Sequence, residues 1–348
     1  MRILIATTHV PFIRGGAEVH AEGLCTALKR AGHEAEIVAI PFKWYPPEKV
    51  LDHMLACRLL DLTEVMGTRV DLLIGLRFPA YLIPHPRKVL WILHQFRTAY
   101  DLWNHQLGDL NYQPDGMKVR DAIREADRRL IPEARLVFAN SANVSARLHN
   151  YCGISATPLY HPPPGSEKFY TASPEDYLFF PSRLCLPKRQ GLVLEALAHT
   201  KSPVTLKFAG AADQPGHQSE LIALARKLQV HSRVSWLGQV TEEEKHGLYA
   251  RALAVVYPPL DEDYGYVTLE AMLAAKPVIT CNDSGGPLEF VRSDQTGLIT
   301  EPNPPALAEA FDRVWDSREF ARKLGQSAKE LYQEMNISWE GVIRALLA

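Results

Sequence analysis

Two glutamates separated by seven residues, Glu262 and Glu270, form the most informative pair of charged side chains in the sequence. They follow an apolar run at 254–257 that predicts a buried strand, and a helix is predicted to begin at about Tyr266. Ligands of open α/β sheets bind at the carboxyl ends of strands, so both carboxylates can face one bound molecule. Because a carboxylate accepts two hydrogen bonds, the pair suits the vicinal hydroxyls of a sugar or a ribose.

A second candidate site combines two glycines with the start of the first predicted helix. Gly15 and Gly16 lie between a strand predicted at 3–6 and a helix predicted over about 17–30. Glycines let a ligand approach the backbone, and the free N–H groups of a helix N-terminus attract phosphate. Tight turns use the same pair, and the Gly-x-Gly-x-x-Gly spacing typical of dinucleotide enzymes is missing.

Strand and helix signals alternate along the whole chain and predict an α/β fold with two doubly wound domains. The apolar runs that predict strands lie at 3–6, 36–40, 70–74, 89–93, 136–139, 177–181, 204–209, 234–237, 253–257, 277–281 and 298–300. The proline-rich run at 160–165 predicts a stiff connection between the domains. We expect an N-terminal domain at 1–165, a C-terminal domain at 166–330 and a final helical segment at 331–348.

Composition excludes several classes of function. With 38 basic and 40 acidic residues the net charge is −2, which argues against a protein that binds nucleic acid through its phosphates. The five cysteines contain no Cys-x-x-Cys pair, so we expect free thiols and a cytoplasmic protein. No apolar stretch is long enough to cross a membrane. One predicted helix carries a basic cluster that would suit an anionic or membrane-borne partner, with an ordinary solvated face as the alternative. The cluster consists of Arg120, Arg124, Arg128 and Arg129.

Further short segments occur in a fixed order around the two glutamates. They are Trp236-Leu237-Gly238-Gln239-Val240, Leu248-Tyr249, Ala275-Lys276-Pro277-Val278-Ile279, Ser284-Gly285-Gly286 and Gly297-Leu298. With these segments and the Glu-x7-Glu spacing, the sequence resembles the family 4 retaining glycosyltransferases. The resemblance covers most of the chain and is densest over 177–300. It implies the GT-B fold, in which two doubly wound, Rossmann-like domains face each other across a cleft. It also implies that the final helical segment at 331–348 returns to the N-terminal domain.

The resemblance also implies an activity. A retaining glycosyltransferase of this family moves a sugar from a nucleotide-diphosphate sugar, such as a UDP- or GDP-sugar, to an acceptor hydroxyl in glycan, polysaccharide or glycoconjugate synthesis. The donor would bind mainly the C-terminal domain and the acceptor, which stays unidentified, mainly the N-terminal domain. Glu262 would contact hydroxyls of the donor sugar, and Glu270 would hold the ribose.

Two cations, Arg183 and Lys188, resemble the diphosphate clamp of the same family. They are separated by four residues and follow the strand predicted at 177–181. The departing diphosphate gains charge as the glycosidic bond breaks, so cations whose hold strengthens in the transition state lower the barrier. The resemblance therefore implies that Arg183 and Lys188 act in catalysis together with Glu262.

The remaining site residues are implied in the same way. Two glycine loops and the turn before the helix of Glu270 complete the donor set, namely Gly15, Gly16, Tyr264, Gly265, Tyr266, Val267, Gly285 and Gly286. His94, after the strand predicted at 89–93, matches a family histidine near the reacting sugar and is a catalytic candidate, with a structural histidine as the alternative. His9, Phe96 and Trp103 are acceptor candidates, although core packing would use the same aromatic residues.

No metal and no other cofactor is expected. Asp261 and Asp263 complete an Asp-x-Asp triplet, which holds a divalent metal through oxygen ligands in a different glycosyltransferase fold. Here the triplet lies inside the Glu-x7-Glu spacing, and we therefore interpret it as part of the donor loop.

Alternative functions stay open at this point. They are a nucleotide-sugar 2-epimerase or a phosphorylase on the same fold, a non-catalytic nucleotide- or carbohydrate-binding protein, and a nicotinamide dehydrogenase. A phosphorylase needs a lysine-bound pyridoxal phosphate and a longer chain. The set of intact charged residues argues against a silent binding protein, and the missing glycine fingerprint argues against a dehydrogenase.

Overall fold

The proline run at 162–164 divides the chain into two units. The structure, a computed structural model, describes all residues from 1 to 348. The N-terminal unit comprises residues 1–164 and 338–348, and the C-terminal unit comprises residues 165–337. The segment that returns to the N-terminal unit therefore begins at 338, whereas the sequence analysis began it at 331. The reason is that the preceding helix continues to Glu334 within the C-terminal unit.

Six parallel strands form the sheet of the N-terminal unit. They are β1 (Arg2–His9), β2 (Glu34–Pro41), β5 (Leu72–Gly75), β6 (Lys88–Ile92), β7 (Leu136–Ala139) and β8 (Thr157–Pro158). A separate antiparallel hairpin consists of β3 (Glu64–Val65) and β4 (Thr68–Arg69). The order across the sheet is β2-β1-β5-β6-β7-β8, so the winding reverses between β1 and β5. Both β5 and β6 are buried along their whole length, as expected for parallel strands covered on both faces.

Five helices belong to the N-terminal unit. They are α1 (Gly16–Arg30), α2 (Glu48–Leu59), α3 (Gly116–Leu130), α4 (Ala142–Cys152) and α11 (Trp339–Leu347), the last helix of the chain. The final helix packs on the first, because Val342 and Leu346 share one hydrophobic core with Leu24. Gly23 makes room for Trp339, since a Cβ at that position would lie 2.8 Å from the indole ring.

The C-terminal unit has a second sheet of six parallel strands. They are β9 (Leu178–Pro181), β10 (Leu206–Ala209), β11 (Val234–Trp236), β12 (Ala254–Val256), β13 (Val278–Cys281) and β14 (Gly297–Thr300). The order is β11-β10-β9-β12-β13-β14, and the winding reverses between β9 and β12. Both sheets therefore follow doubly wound orders, in which ligands bind beside the reversal at the carboxyl ends of the strands.

Six helices belong to the C-terminal unit. They are α5 (Gln190–His199), α6 (His217–Lys227), α7 (Glu242–Arg251), α8 (Tyr266–Leu273), α9 (Pro304–Asp316) and α10 (Arg318–Glu334). A capping box fixes the start of α7, because Thr241 Oγ1 accepts from the Glu244 amide while the Glu244 carboxylate accepts from the Thr241 amide. The alternation of strands and helices predicted from the sequence is confirmed in both units. No helix combines the length and the apolar composition that crossing a membrane requires.

Candidate functional site

The reversal of the C-terminal sheet brings together two loops that the sequence analysis singled out. The loop after β9 carries Arg183 and Lys188, and the loop after β12 carries Glu262. Since β9 and β12 are neighbouring parallel strands, these loops meet at one sheet edge. This is the position where an open α/β sheet binds its ligand.

Lys188, Tyr257 and Glu262 form a connected polar cluster at this edge. The Lys188 ammonium pairs with the Glu262 carboxylate. The Tyr257 hydroxyl accepts from Lys188 Nζ at 2.9 Å and donates to Glu262 Oε2 at 2.9 Å. Burial disfavours the charged lysine, but Glu262 and Tyr257 outweigh that effect, so the pKa of Lys188 is raised and the side chain stays cationic. Tyr257 was not predicted as a site residue, although its position at the end of a strand was a usable signal.

Arg183 does not join this cluster. Its guanidinium makes two hydrogen bonds to Asp213, at 2.9 and 2.8 Å, and its side chain is 54% exposed. Arg189, which follows Lys188 in the sequence, pairs in the same way with Asp283, at 2.8 Å between Nη1 and Oδ1. Lys188 and Arg183 thus each have a carboxylate partner of their own, because different loops face them, and their role as a diphosphate clamp stays a prediction.

Glu270 lies in the interior and is only 6% exposed, so it is not a solvated acid at a helix start. Its Oε2 accepts a hydrogen bond from the Tyr249 hydroxyl at 2.6 Å, and its Oε1 lies 3.2 Å from Lys245 Nζ. Lys245 also pairs with Glu242 at 2.8 Å. Lys245 and Tyr249 were not predicted as partners of Glu270, although their i, i+4 spacing on α7 places them on one helix face.

The loop that contains Gly285 and Gly286 is hydrogen-bonded to the backbone of Glu262. The Glu262 amide donates to the Ser284 carbonyl at 3.0 Å, and the Gly286 amide donates to the Glu262 carbonyl at 2.8 Å. A Cβ at Gly286 would lie 2.7 Å from the Tyr264 carbonyl oxygen, so glycine permits this close approach. The Gly286 amide thus donates within the protein, and the place of Gly285 and Gly286 in the donor set stays a prediction. Gly285 has a φ of +68°, a conformation that favours glycine.

The turn before α8 consists mainly of packing residues. Gly265 adopts a φ of +82°. The Tyr264 ring is buried against Phe290, with ring centroids 5.7 Å apart, and Val267 packs against the core. Tyr266 contacts the edge of the Tyr264 ring at a centroid distance of 5.6 Å. Burial, together with the nearby Glu270 carboxylate, raises the pKa of Tyr266 above its ordinary value.

The reversal of the N-terminal sheet holds another ion pair. Arg77 Nη1 lies 3.1 Å from Glu18 Oε1 and 3.1 Å from the Thr8 carbonyl oxygen. The other oxygen of Glu18 accepts from the Gly15 amide at 2.8 Å. A carboxylate of the same helix thus accepts from the Gly15 amide, and the role of Gly15 and Gly16 in binding a phosphate stays a prediction.

The histidine candidates lie at the ends of β1 and β6, two strands of the N-terminal sheet that β5 separates. His94 follows β6, and its Nδ1 is 2.7 Å from the Gln95 carbonyl oxygen. His9 is the last residue of β1, and its buried Nδ1 has no hydrogen-bond partner. Both positions belong to the carboxyl edge of the sheet, as the sequence predicted from the strands that precede them.

The aromatic acceptor candidates are in packing contacts. Phe96 lies against Phe78, with ring centroids 5.4 Å apart, and Trp103 lies under the Arg120 guanidinium at 4.4 Å. Both rings pack against the core of the N-terminal unit. The geometry thus favours the packing interpretation for these two residues over the predicted acceptor role.

The basic cluster on α3 is divided between two environments. Arg120 covers Trp103, and Arg124 donates to the Ala99 carbonyl at 2.9 Å while lying over the Tyr100 ring. Only the pair at the end of the helix is strongly exposed, and both members pair with Glu125. That pair consists of Arg128 and Arg129. The cluster is therefore not one continuous basic face.

No group of three or more His, Cys, Asp or Glu side chains is arranged to hold a metal ion.

Comparison with known proteins adds a family match. Residues 166–331 match the family described as glycosyl transferases group 1. A curated relative, alpha-1,3/1,6-mannosyltransferase ALG2 of Dictyostelium discoideum, is 33% identical over 135 residues, which are 37% of this chain and 32% of that protein. The chain thus matches about a third of the length of such relatives.

Solved structures resemble the whole chain. Sucrose-phosphate synthase of Thermosynechococcus elongatus aligns with a TM-score of 0.78 at 19% identity and covers 99% of this chain and 98% of its own. The Anabaena protein HepE, solved with UDP and glucose, aligns with a TM-score of 0.72 at 18% identity over 100% of this chain and 98% of its own. At these identities the likeness shows the fold, and the predicted GT-B fold is confirmed.

Proposed function

We propose that this chain, which belongs to the group 1 glycosyl transferase family, transfers a sugar from a nucleotide-diphosphate sugar to an acceptor hydroxyl with retention of configuration. The observation that carries the proposal is the cluster of Lys188, Tyr257 and Glu262 at the reversal of the C-terminal sheet. Glu270, on the helix that follows, adds a second buried carboxylate. Two carboxylates and a lysine match a ligand that combines hydroxyl groups with phosphates.

In this proposal the residues divide the donor between them. Lys188 leaves its resting partner Glu262 and binds the diphosphate, whose charge grows as it departs. Glu262 accepts hydrogen bonds from hydroxyls of the sugar, and Glu270 accepts them from the ribose. Arg183 lies on the same loop and is half exposed, so its guanidinium can exchange Asp213 for a phosphate oxygen.

The transfer step balances without an enzyme nucleophile. The bond between the anomeric carbon and the diphosphate oxygen breaks, and its electron pair leaves with the phosphate. The acceptor oxygen bonds to the anomeric carbon on the same face, and its proton passes to the departing phosphate oxygen. The protein contributes electrostatic stabilisation and positioning, for which preorganised charges are effective.

The donor base and the acceptor are open parts of this proposal. The solved relative HepE holds UDP and glucose, which supports uridine as the first base to test. We place the acceptor on the N-terminal unit, where the loops after β1 and β6 carry His9 and His94. Glycan or glycoconjugate synthesis is the proposed process.

A thermal-shift screen of the full chain tests the proposal. UDP, GDP, ADP, UDP-glucose and GDP-mannose are each added with and without EDTA. Selective binding to the native state raises the melting temperature. We expect the melting temperature to rise with the nucleotides of one base, by the same amount with and without EDTA. Glu270→Ala should remove this shift. Glu243→Ala, which replaces an exposed acid on α7, should leave it intact. A folded protein that no nucleotide stabilises would refute the donor site. If the protein releases an epimerised sugar nucleotide when no acceptor is present, its reaction is epimerisation and not transfer.

A further inference from the structure

Each of the two glutamates of the proposed donor site contacts one lysine and one tyrosine. Glu262 contacts Lys188 and the hydroxyl of Tyr257, and Glu270 contacts Lys245 and the hydroxyl of Tyr249. Both tyrosines are buried, with 3% exposure for Tyr257 and 0% for Tyr249. In each case a lysine and a buried hydroxyl share one carboxylate.

We infer that Tyr249 and Tyr257 are positioning residues, which hold the carboxylates of Glu270 and Glu262 in place for the nucleotide and for the donor sugar, respectively. This inference rests on the proposed function. Neither tyrosine needs to touch the donor, because each acts through the oxygen atom that it holds.

Rigid packing gives the Tyr249 hydroxyl a fixed position. Its ring lies edge-on to Phe179, with ring centroids 5.1 Å apart, and to Phe169 at 5.5 Å. A glutamate side chain has three rotatable bonds, and a hydrogen bond from a fixed hydroxyl removes much of that freedom before the ligand arrives. Because Oε2 is engaged with Tyr249, Oε1 is the oxygen that can exchange Lys245 for a ribose hydroxyl.

Tyr257 has a second task, because its oxygen also accepts a hydrogen bond from Lys188. When Lys188 turns toward the diphosphate, the Tyr257 hydroxyl still donates to Glu262, so the carboxylate keeps its orientation. Burial, reinforced by the neighbouring glutamates, raises the pKa of both tyrosines, so both hydroxyls stay protonated donors at physiological pH.

A third buried tyrosine of the same core supplies a matched control. Tyr177 is 1% exposed, and its hydroxyl donates to the backbone carbonyl of Leu248 at 2.7 Å. Tyr177→Phe therefore removes a buried hydroxyl from the same hydrophobic cluster without touching a glutamate.

Calorimetric binding by the full chain tests the inference through ratios that a general loss of stability does not move. The probes are UDP and GDP, their 2′-deoxy counterparts, and UDP-glucose and GDP-mannose. We expect the unmodified protein to bind the ribonucleotide about tenfold more tightly than the deoxynucleotide, the scale of one hydrogen bond to a charged group. In Tyr249→Phe this preference falls to about twofold, while Tyr177→Phe keeps it.

Tyr257→Phe should show the complementary pattern. It keeps the preference for ribose, but the affinity for the nucleotide sugar falls about tenfold relative to the matching nucleoside diphosphate, and turnover of the sugar nucleotide falls at least as much. Melting temperatures of the three variants show whether each one folds.

The outcomes separate the inference from the function on which it rests. If the unmodified protein binds no nucleotide or shows no ribose preference, the assignment of Glu270 in the proposed function fails. If that preference is present and survives intact in a folded Tyr249→Phe, Tyr249 is a structural residue and the inference fails. Equal losses in Tyr177→Phe and Tyr249→Phe would likewise overturn it.

Discussion

The two sheets reverse their winding at equivalent points, and each reversal carries an ion pair. Arg77 pairs with Glu18 at the reversal of the N-terminal sheet, and Lys188 pairs with Glu262 in the C-terminal sheet. The side chains are shielded to a similar degree, with exposures of 20% and 22% in the first pair and 15% and 21% in the second. Exposure therefore does not distinguish the two pairs.

What distinguishes them is the third partner. Glu18 also accepts from the Gly15 amide and completes the first turn of α1, so its pair is tied into secondary structure. The Glu262 carboxylate, on the loop after β12, accepts in addition from the side-chain hydroxyl of Tyr257. A pair held by side chains can exchange partners with a ligand, whereas a pair that caps a helix serves stability. Similar topologies can thus hold ion pairs with different uses.

Removal of Lys188 should have the largest effect. Lys188→Ala leaves the growing charge of the diphosphate without its cation, so we expect turnover to fall roughly a thousandfold, about 4 kcal/mol, with a smaller change in donor affinity. Initial rates and calorimetric donor affinity measure the two effects separately. Lys227→Ala, at an exposed site at the end of α6, serves as the control. An Arg77→Ala variant with an equal loss of turnover and an intact fold would abolish the distinction between the two pairs.

The elements of the fold were predictable where burial dictates composition. The strand predicted at 136–139 has those same bounds, because parallel strands covered on both faces are short apolar runs. The bounds of the helix over Glu48–Leu59 were not predicted, because only Val50 and Cys57 of its residues are buried and two prolines precede it. A helix with so narrow an apolar face leaves little periodic signal.

The site was predictable in its residues and not in their partners. The spacing of Glu262 and Glu270 singled out both carboxylates, but the hydroxyl of Tyr257 meets Lys188 across 69 positions of the sequence. Such contacts depend on which strands become neighbours, and local patterns do not encode that. Phe96 shows a second limit, because aromatic residues that stack on a sugar and those that fill a core are of the same types.

The carboxylate of Asp127 extends the comparison of buried acids, because tyrosine hydroxyls contact it and no lysine pairs with it. Asp127 is fully buried and accepts from the hydroxyls of Tyr81 and Tyr100, at 2.9 and 2.8 Å. Burial raises its pKa to about 7 despite the two hydroxyl donors. Between pH 5 and pH 7 the native state then holds more protons than the unfolded state, so stability falls as pH rises, by about 2 kcal/mol.

Urea unfolding of the unmodified protein and of Asp127→Asn at pH 5, 6 and 7 measures this effect. The asparagine side chain cannot ionise, so the difference in the free energy of unfolding between the two proteins should change by about 2 kcal/mol from pH 5 to pH 7. A constant difference would mean that Asp127 is ionised throughout, as a carboxylate paired with a lysine would be.

The helix-capping pair should show an effect on stability alone. Glu18→Ala removes the carboxylate that accepts from the Gly15 amide, and we expect a loss of about 1 kcal/mol in the free energy of unfolding. Nucleoside diphosphate affinity should not change. Glu22→Ala is the control, because Glu22 lies on the same helix as Glu18 and its side chain makes only an exposed ion pair with Arg14. Tighter binding of UDP or GDP by Glu18→Ala would instead show that Glu18 competes with a phosphate, and would support the predicted role of Gly15 and Gly16.

The smallest effect is expected on α3, where the charges have no shared ligand. Arg128 and Arg129 are 68% and 73% exposed and both pair with Glu125, so we expect the double alanine variant to change stability by less than about 0.5 kcal/mol. Its sedimentation with vesicles of phosphatidylglycerol and phosphatidylcholine should also change less than about twofold. Membrane contact through this helix would give about 1 kcal/mol for each arginine, or about a thirtyfold loss for the pair. A loss of that size would assign the exposed end of α3 to a lipid surface and give the N-terminal unit a phosphate contact beside the one proposed for the C-terminal unit.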